Sequence, residues 1–239
     1  MKDNVIVLTT GLTGSSVLSN LISRAGYWTG DETFKKNDYD THENIELVRL
    51  NTEILNKYNY KGKYTDNIDH NAISIIDSLD IDVNAGEYLS FLNCCKDKSP
   101  WIWKDPRLWV TILFWNKILD SNIKYIHLDR GLMQRWISVN LRRQIESVGH
   151  IKTNTDYINH RIVNFLVENK KEFIRINFDD LLLHPEKTID TINRFLSINL
   201  VLDDLKAVYD FPLYKRKRGF LDFIKALAIF SKNYNERNR

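Results

Sequence analysis

Residues 10–16, Thr10-Gly11-Leu12-Thr13-Gly14-Ser15-Ser16, place four hydroxyls and two glycines in seven positions. An apolar run, Val5-Ile6-Val7-Leu8, precedes them, and a helical pattern with Val17, Leu18, Leu21 and Ile22 on one face follows. A strand that turns through glycine into a helix start aims unpartnered backbone N–H groups at one point, and the helix dipole adds positive charge there. The chemistry this suits is the holding of an anion, phosphate above all. A capping turn alone explains neither two glycines nor four hydroxyls. Further anion-seeking groups recur downstream: Lys104-Asp105-Pro106-Arg107, Asp129-Arg130 with Ser138 eight residues after the arginine, and the basic run Lys215-Arg216-Lys217-Arg218.

These groups need elements to bring them together. The periodicity predicts strands at 5–8, 101–103, 124–128 and 173–177. Helices are expected at 15–25, 44–58, 68–79, 88–95, 108–119, 133–146, 157–169, 186–196 and 220–230. Pro185 suits the first turn of its helix. Strands separated by helical crossovers imply an α/β fold, a parallel sheet flanked by helices. Ligands of such sheets sit beyond the carboxyl ends of the strands. The first loop, Lys104 and Arg107, and Arg130 with Ser138 all follow strands, which points to one ligand with several phosphates. Residues 27–100 show no strand signal and read as a helical insertion or lid after the first βα unit. The whole chain, 1–239, reads as a single domain with a basic tail at 214–239.

The first loop is not that of a nucleoside triphosphatase. That motif needs a lysine after its second glycine, and Ser15 stands there. No acid closes an apolar strand to hold Mg²⁺, so triphosphate hydrolysis is disfavoured. A net charge of +3 gives no global argument for nucleic acid. The adjacent Cys94 and Cys95 form neither a disulfide framework nor a zinc spacing, so no metal site is expected and a reducing, cytoplasmic setting fits. No apolar run reaches the roughly 20 residues of a membrane span. The tail helix, with Phe220, Phe223, Ile224, Leu227 and Phe230 beside the basic run, could lie on a membrane surface. His127, in a strand, and the tryptophans Trp101, Trp103, Trp109 and Trp115 read as core.

The order and spacing of these motifs resemble the sulfotransferases that use 3′-phosphoadenosine 5′-phosphosulfate (PAPS), the bacterial type in particular, whose fold is P-loop-like and nucleotide-binding. Gly11-Leu12-Thr13-Gly14-Ser15-Ser16 resembles the family's 5′-phosphosulfate loop. Tyr125-Ile126-His127-Leu128-Asp129-Arg130 followed by Ser138 resembles its 3′-phosphate site, and Lys104-Asp105-Pro106-Arg107 a bacterial motif after an intermediate strand. Asn177-Phe178-Asp179-Asp180-Leu181, Pro185-Glu186 and Phe195-Leu196 resemble its late strand and helix. Two positions depart: Leu12 stands where the family usually has Arg or Lys, and Leu132 where it usually has Pro.

The resemblance implies a transferase that moves a sulfuryl group to an acceptor hydroxyl of a glycan or glycolipid, with no required metal and no nucleic-acid partner. Thr10, Gly11, Leu12, Thr13, Gly14, Ser15 and Ser16 would hold the 5′-phosphosulfate. Arg130 and Ser138 would hold the 3′-phosphate, helped by Lys217 and Arg218. Lys104 would stabilise the leaving group in place of the missing cation at Leu12. The base would be Glu43, expected to open a helix, with Glu32 ranked second; the plain alternative for either is a solvated carboxylate in a first helical turn. Two other readings stand beside this one: a nucleotide-binding module impaired in catalysis, suggested by Leu12, and a small-molecule kinase, disfavoured by Ser15.

Overall fold

The computed structural model describes residues 2–36, 39–60, 68–78, 86–120, 122–209 and 219–237. β1 (Asn4–Thr9) leads into α1 (Ser15–Ser23), then the short strands β2 (Thr33–Lys35) and β3 (Asp40–Asn44). Three helices follow, α2 (Ile45–Lys57), α3 (His70–Ser78) and α4 (Gly86–Asp97), before β4 (Ile102–Lys104), α5 (Leu108–Trp115) and β5 (Ile123–Asp129). Next come α6 (Leu132–Leu141), α7 (Val148–Glu168), β6 (Phe173–Asn177), α8 (Phe178–Leu183), α9 (Pro185–Leu196), α10 (Leu202–Val208) and α11 (Phe220–Arg237).

β4, β1, β5 and β6 form one sheet in that order, and every pair is parallel. The expected fold class, a parallel sheet flanked by helices, is the one observed. Both faces are covered, which is why β1 reads as an unbroken apolar run rather than an alternating one. Its side chains still alternate in space. Ile6 and Leu8 join Trp103, Tyr125 and the helices α2–α5 and α7 in one core layer. Val5 and Val7 join Ile102, Ile126, Leu128, Ile176 and the helices α1 and α8–α10 in the other. Trp101, Trp103, Trp109 and Trp115 all lie in the first layer, as expected of core residues. His127 is fully buried with Nε2 3.0 Å from Asn159 Oδ1.

The chain leaves β1 toward β4 on one side and returns to β5 on the other. Such a reversal opens a crevice at the carboxyl edge of the sheet. Register aligns the ends: Val7 pairs with Lys104, Thr9 with Leu128, and Asp129 with Asn177.

Three expectations need correction. Residues 27–100 are not helical throughout, because β2 and β3 pair as an antiparallel ribbon. Its sequence is polar and carries no apolar alternation; side-chain bonds from Thr33 Oγ1 to Asp40 (2.6 Å) and Thr41 Oγ1 to the Phe34 carbonyl (2.6 Å) hold it instead. Glu43 does not open a helix: it lies in β3, and Asn44 caps α2 by accepting from the N–H groups of Glu46 and Leu47. The first-turn acid of α2 is Glu46. α6 ends at Leu141, five residues before the expected limit, and α7 begins at Val148, capped by Ser147, nine residues before the expected start.

Candidate functional site

A cavity of about 610 Å³ opens at the carboxyl edge of the sheet, within the range of small-molecule sites. Gly11, Leu12, Gly14, Ser15 and Ser16 form its floor. Gly11 (φ 76°), Leu12 (φ 56°) and Gly14 (φ 82°) all take left-handed backbone, so the loop curls before α1 starts. Gly14 is required twice over. A Cβ there would also sit 2.3 Å from the Phe178 ring.

Not all loop hydroxyls face the cavity. Thr10 and Thr13 are buried, and Thr13 Oγ1 bonds Thr9 Oγ1 beneath the loop. Thr10 is gripped by Arg135, whose guanidinium donates to Thr10 Oγ1 (2.8 Å) and to the Thr10 carbonyl (3.0 Å), and also to Thr155 Oγ1. Arg135 is 3% exposed. It fixes a positive charge directly behind the loop. Leu12 lines the cavity and packs on the apolar cluster of Trp136, Phe223 and Phe230. Sequence reasoning missed Arg135; the signal was a lone cation in α6, immediately before Trp136-Ile137-Ser138-Val139.

Lys104, at the end of β4, is 2% exposed and donates to Glu43 Oε1 at 2.5 Å and to Ser16 Oγ at 3.3 Å. A buried lysine persists only with such a partner. Burial raises the Glu43 carboxyl above the ordinary carboxylate range, and the neighbouring Lys104 charge only partly offsets this. A buried carboxyl raised in this way, beside a cation and a helix N-terminus, is a candidate for proton transfer. Glu32 stands apart: it is exposed, outside the cavity lining, and its carbonyl accepts from Ile45 N. The other acids and cations of Lys104-Asp105-Pro106-Arg107 are structural. Asp105 is fully buried and accepts from Asn51 Nδ2 (2.8 Å), Arg107 N and Arg107 Nη1 (both 2.9 Å).

Arg130 and Ser138 meet as their spacing requires: Arg130 Nη1 donates to Ser138 Oγ at 3.2 Å, and both line the cavity. The end of β6 holds Arg130 in place. Its guanidinium lies 5.3 Å from the centre of the Phe178 ring, and its Nε is 3.5 Å from Asp179 Oδ1. The other Asp179 oxygen accepts from Gly131 N at 3.0 Å. Phe178 is thus wedged between Gly14 and Arg130 and joins the two anion-seeking ends of the cavity. Lys217 and Arg218 lie outside the described residues. The ribbon adds Lys36, Tyr39, Asp40 and His42 to the cavity wall, and Arg142 faces them from the end of α6.

The sequence matches no protein-family model and no curated protein. Solved structures do match the fold. The chain is similar to a sulfotransferase domain from the curacin biosynthetic pathway, with a TM-score of 0.54 at 17% identity over 93% of this chain and 82% of that one. It is also similar to the sulfotransferase domain of the Synechococcus PCC 7002 olefin synthase, with a TM-score of 0.55 at 16% identity over 97% of this chain and 96% of that one. The mixed α/β architecture, a four-stranded parallel sheet flanked by helices, is the fold this chain shares with those sulfotransferase domains.

Proposed function

We propose that this protein transfers a sulfuryl group from PAPS to an acceptor hydroxyl of a glycan or glycolipid. The observation that carries the reading is the Glu43–Lys104–Ser16 cluster, which lines the same cavity as the Arg130–Ser138 pair. The residues fit the donor's two anionic ends. The first loop and the α1 N-terminus face one, and Arg130 and Ser138 suit the other.

Glu43 takes the proton of the acceptor hydroxyl as the new S–O bond forms. The bond between sulfur and the phosphate oxygen breaks in line, releasing adenosine 3′,5′-bisphosphate. Lys104 exchanges its contact with Glu43, neutralised by the proton, for the phosphate oxygen that gains charge. Arg135 and the loop N–H groups hold the same phosphate by position and field. Leu12, turned to the Trp136 cluster, favours one other reading: a module that binds the donor without transfer.

Thermal-shift titration separates these classes. Adenosine 3′,5′-bisphosphate should stabilise the protein and ATP with Mg²⁺ should not; the reverse would make it a kinase. Labelled PAPS with a panel of sugar acceptors then reads transfer, and absence of transfer that Leu12→Arg restores would establish the impaired module. No described helix is long and apolar enough to cross a membrane. In this reading the enzyme works in the cytosol, and the exposed Phe220, Leu221 and Ile224 of α11 meet a membrane surface; co-sedimentation with anionic vesicles, lost in Leu221→Glu, tests that contact.

A further inference from the structure

Lys36, Tyr39 and Arg142 form a third cationic cluster on the cavity wall, separate from the first loop and from Arg130 with Ser138. They come from two elements. Lys36 and Tyr39 belong to the turn of the β2–β3 ribbon, whereas Arg142 caps α6 one turn beyond Ser138, on the same helix face. The Tyr39 ring gathers both cations: Lys36 Nζ lies 5.8 Å and the Arg142 guanidinium 5.7 Å from its centre, and Arg142 Nη1 donates to the phenol oxygen at 3.4 Å. Burial alone would raise the Tyr39 phenol; the hydrogen bond and charge of Arg142, with the charge of Lys36, bring it below its ordinary value instead. Among the described residues neither cation is in an ion pair, while the carboxylates of the lining have donors of their own. Asp40 accepts from Thr33 Oγ1 (2.6 Å) and His42 N (2.7 Å), Glu43 from Lys104, and Asp222 from Gly219 N (3.4 Å).

A count of charges decides what this cluster is for. The PAPS donor has two anionic ends, and two subsites already face them. A third set of cations, on the ribbon that carries Glu43, exceeds what the donor needs. We infer that Lys36, Tyr39 and Arg142 bind an anionic group of the acceptor, so that the substrate is a hydroxyl compound bearing a carboxylate or a phosphate. This inference rests on the sulfotransferase reading above. It explains why the base stands on a strand of the ribbon. The ribbon binds the acceptor's charge at its turn and presents Glu43 at the far end of β3, where the hydroxyl would lie.

The test saturates the protein with adenosine 3′,5′-bisphosphate and then titrates inorganic phosphate at constant ionic strength. A further rise in melting temperature of about 3 °C is expected at ten times the dissociation constant. The rise should vanish in Lys36→Met/Arg142→Gln, two exposed positions whose replacement leaves the fold intact. Glucuronate and glucose 6-phosphate in place of phosphate distinguish carboxylate from phosphate recognition, with glucose as the neutral control. No further rise, or an equal rise in the double variant, overturns the inference; so does a double variant with weakened bisphosphate binding, which would assign the cluster to the donor. Failure of the bisphosphate itself to stabilise the wild type brings down the sulfotransferase reading first, and this inference with it.

Discussion

Glu43 and Lys104 are two ionisable side chains that could not be buried singly. Each is tolerated because the other is there, at 2.5 Å, and in the proposed reaction the pair would handle a proton and a phosphate charge together. Burial sets the direction of the carboxyl's shift, upward. The transfer rate should therefore rise with pH through a value above the roughly 4.3 of a free glutamate. Glu43→Gln should abolish that limb and lower turnover about 10²- to 10⁴-fold while leaving bisphosphate affinity within about twofold. A pH profile of kcat/KM together with a bisphosphate titration checks both. Equal activity in Glu43→Gln would leave the pair with a structural role only. The sequence showed that a lysine follows a strand and that a glutamate lies near residue 43, but not that they touch. They are 61 residues apart, and only the ribbon brings them together.

The first loop is held from two directions by elements distant in sequence. From below, Arg135 of α6 grips Thr10; from the side, the Phe178 ring at the start of α8 occupies the space that Gly14 leaves. Gly14→Ala should cost about 1–3 kcal/mol, since the residue would keep a left-handed backbone and displace the ring. Because that ring lies under Arg130, bisphosphate affinity should fall with stability, as calorimetry would register. Arg135→Met strips three hydrogen bonds from buried groups and should cost about 2 kcal/mol. It should also weaken bisphosphate binding about tenfold, or roughly 1.4 kcal/mol, whereas Leu12→Arg in the same background should recover part of the loss. Unchanged affinity in Arg135→Met would confine the residue to packing. Strand and helix positions were largely legible because apolar periodicity follows from burial. The ribbon was not, for its residues are polar and its bonds are made by Thr33, Asp40 and Thr41 side chains.

The sheet stores its stability in two apolar layers, and its few buried ionisable groups make that stability depend on pH. Burial lowers the His127 imidazole below its ordinary value, chiefly by desolvation. The folded protein then binds that proton less well than the unfolded chain. The contribution of His127 is complete above about pH 6.5 and is lost as pH falls below it. Glu43 acts with the opposite sign, since its raised carboxyl contributes in acid and loses that contribution as pH rises through its folded value. Between pH 7 and pH 5 the wild-type urea midpoint should therefore lose ground relative to that of His127→Gln. An identical slope in the variant would refute the assignment.

The chain's local order is written in its residues. The β1 run, the Gly11–Ser16 turn, the eight-residue interval from Arg130 to Ser138 and Pro185 at its helix start follow from neighbours within a few positions, where sterics, capping and periodicity act. The assembly of the site is of another kind. That Lys104 meets Glu43 and Ser16, that Arg135 underlies Thr10, that Phe178 separates Gly14 from Arg130, and that Tyr39 draws Lys36 to Arg142 are contacts between elements far apart in the chain. Burial of a charge has no local signature. It becomes favourable only once packing has supplied the partner, and that partner is chosen by the way strands and helices close around the sheet's carboxyl edge.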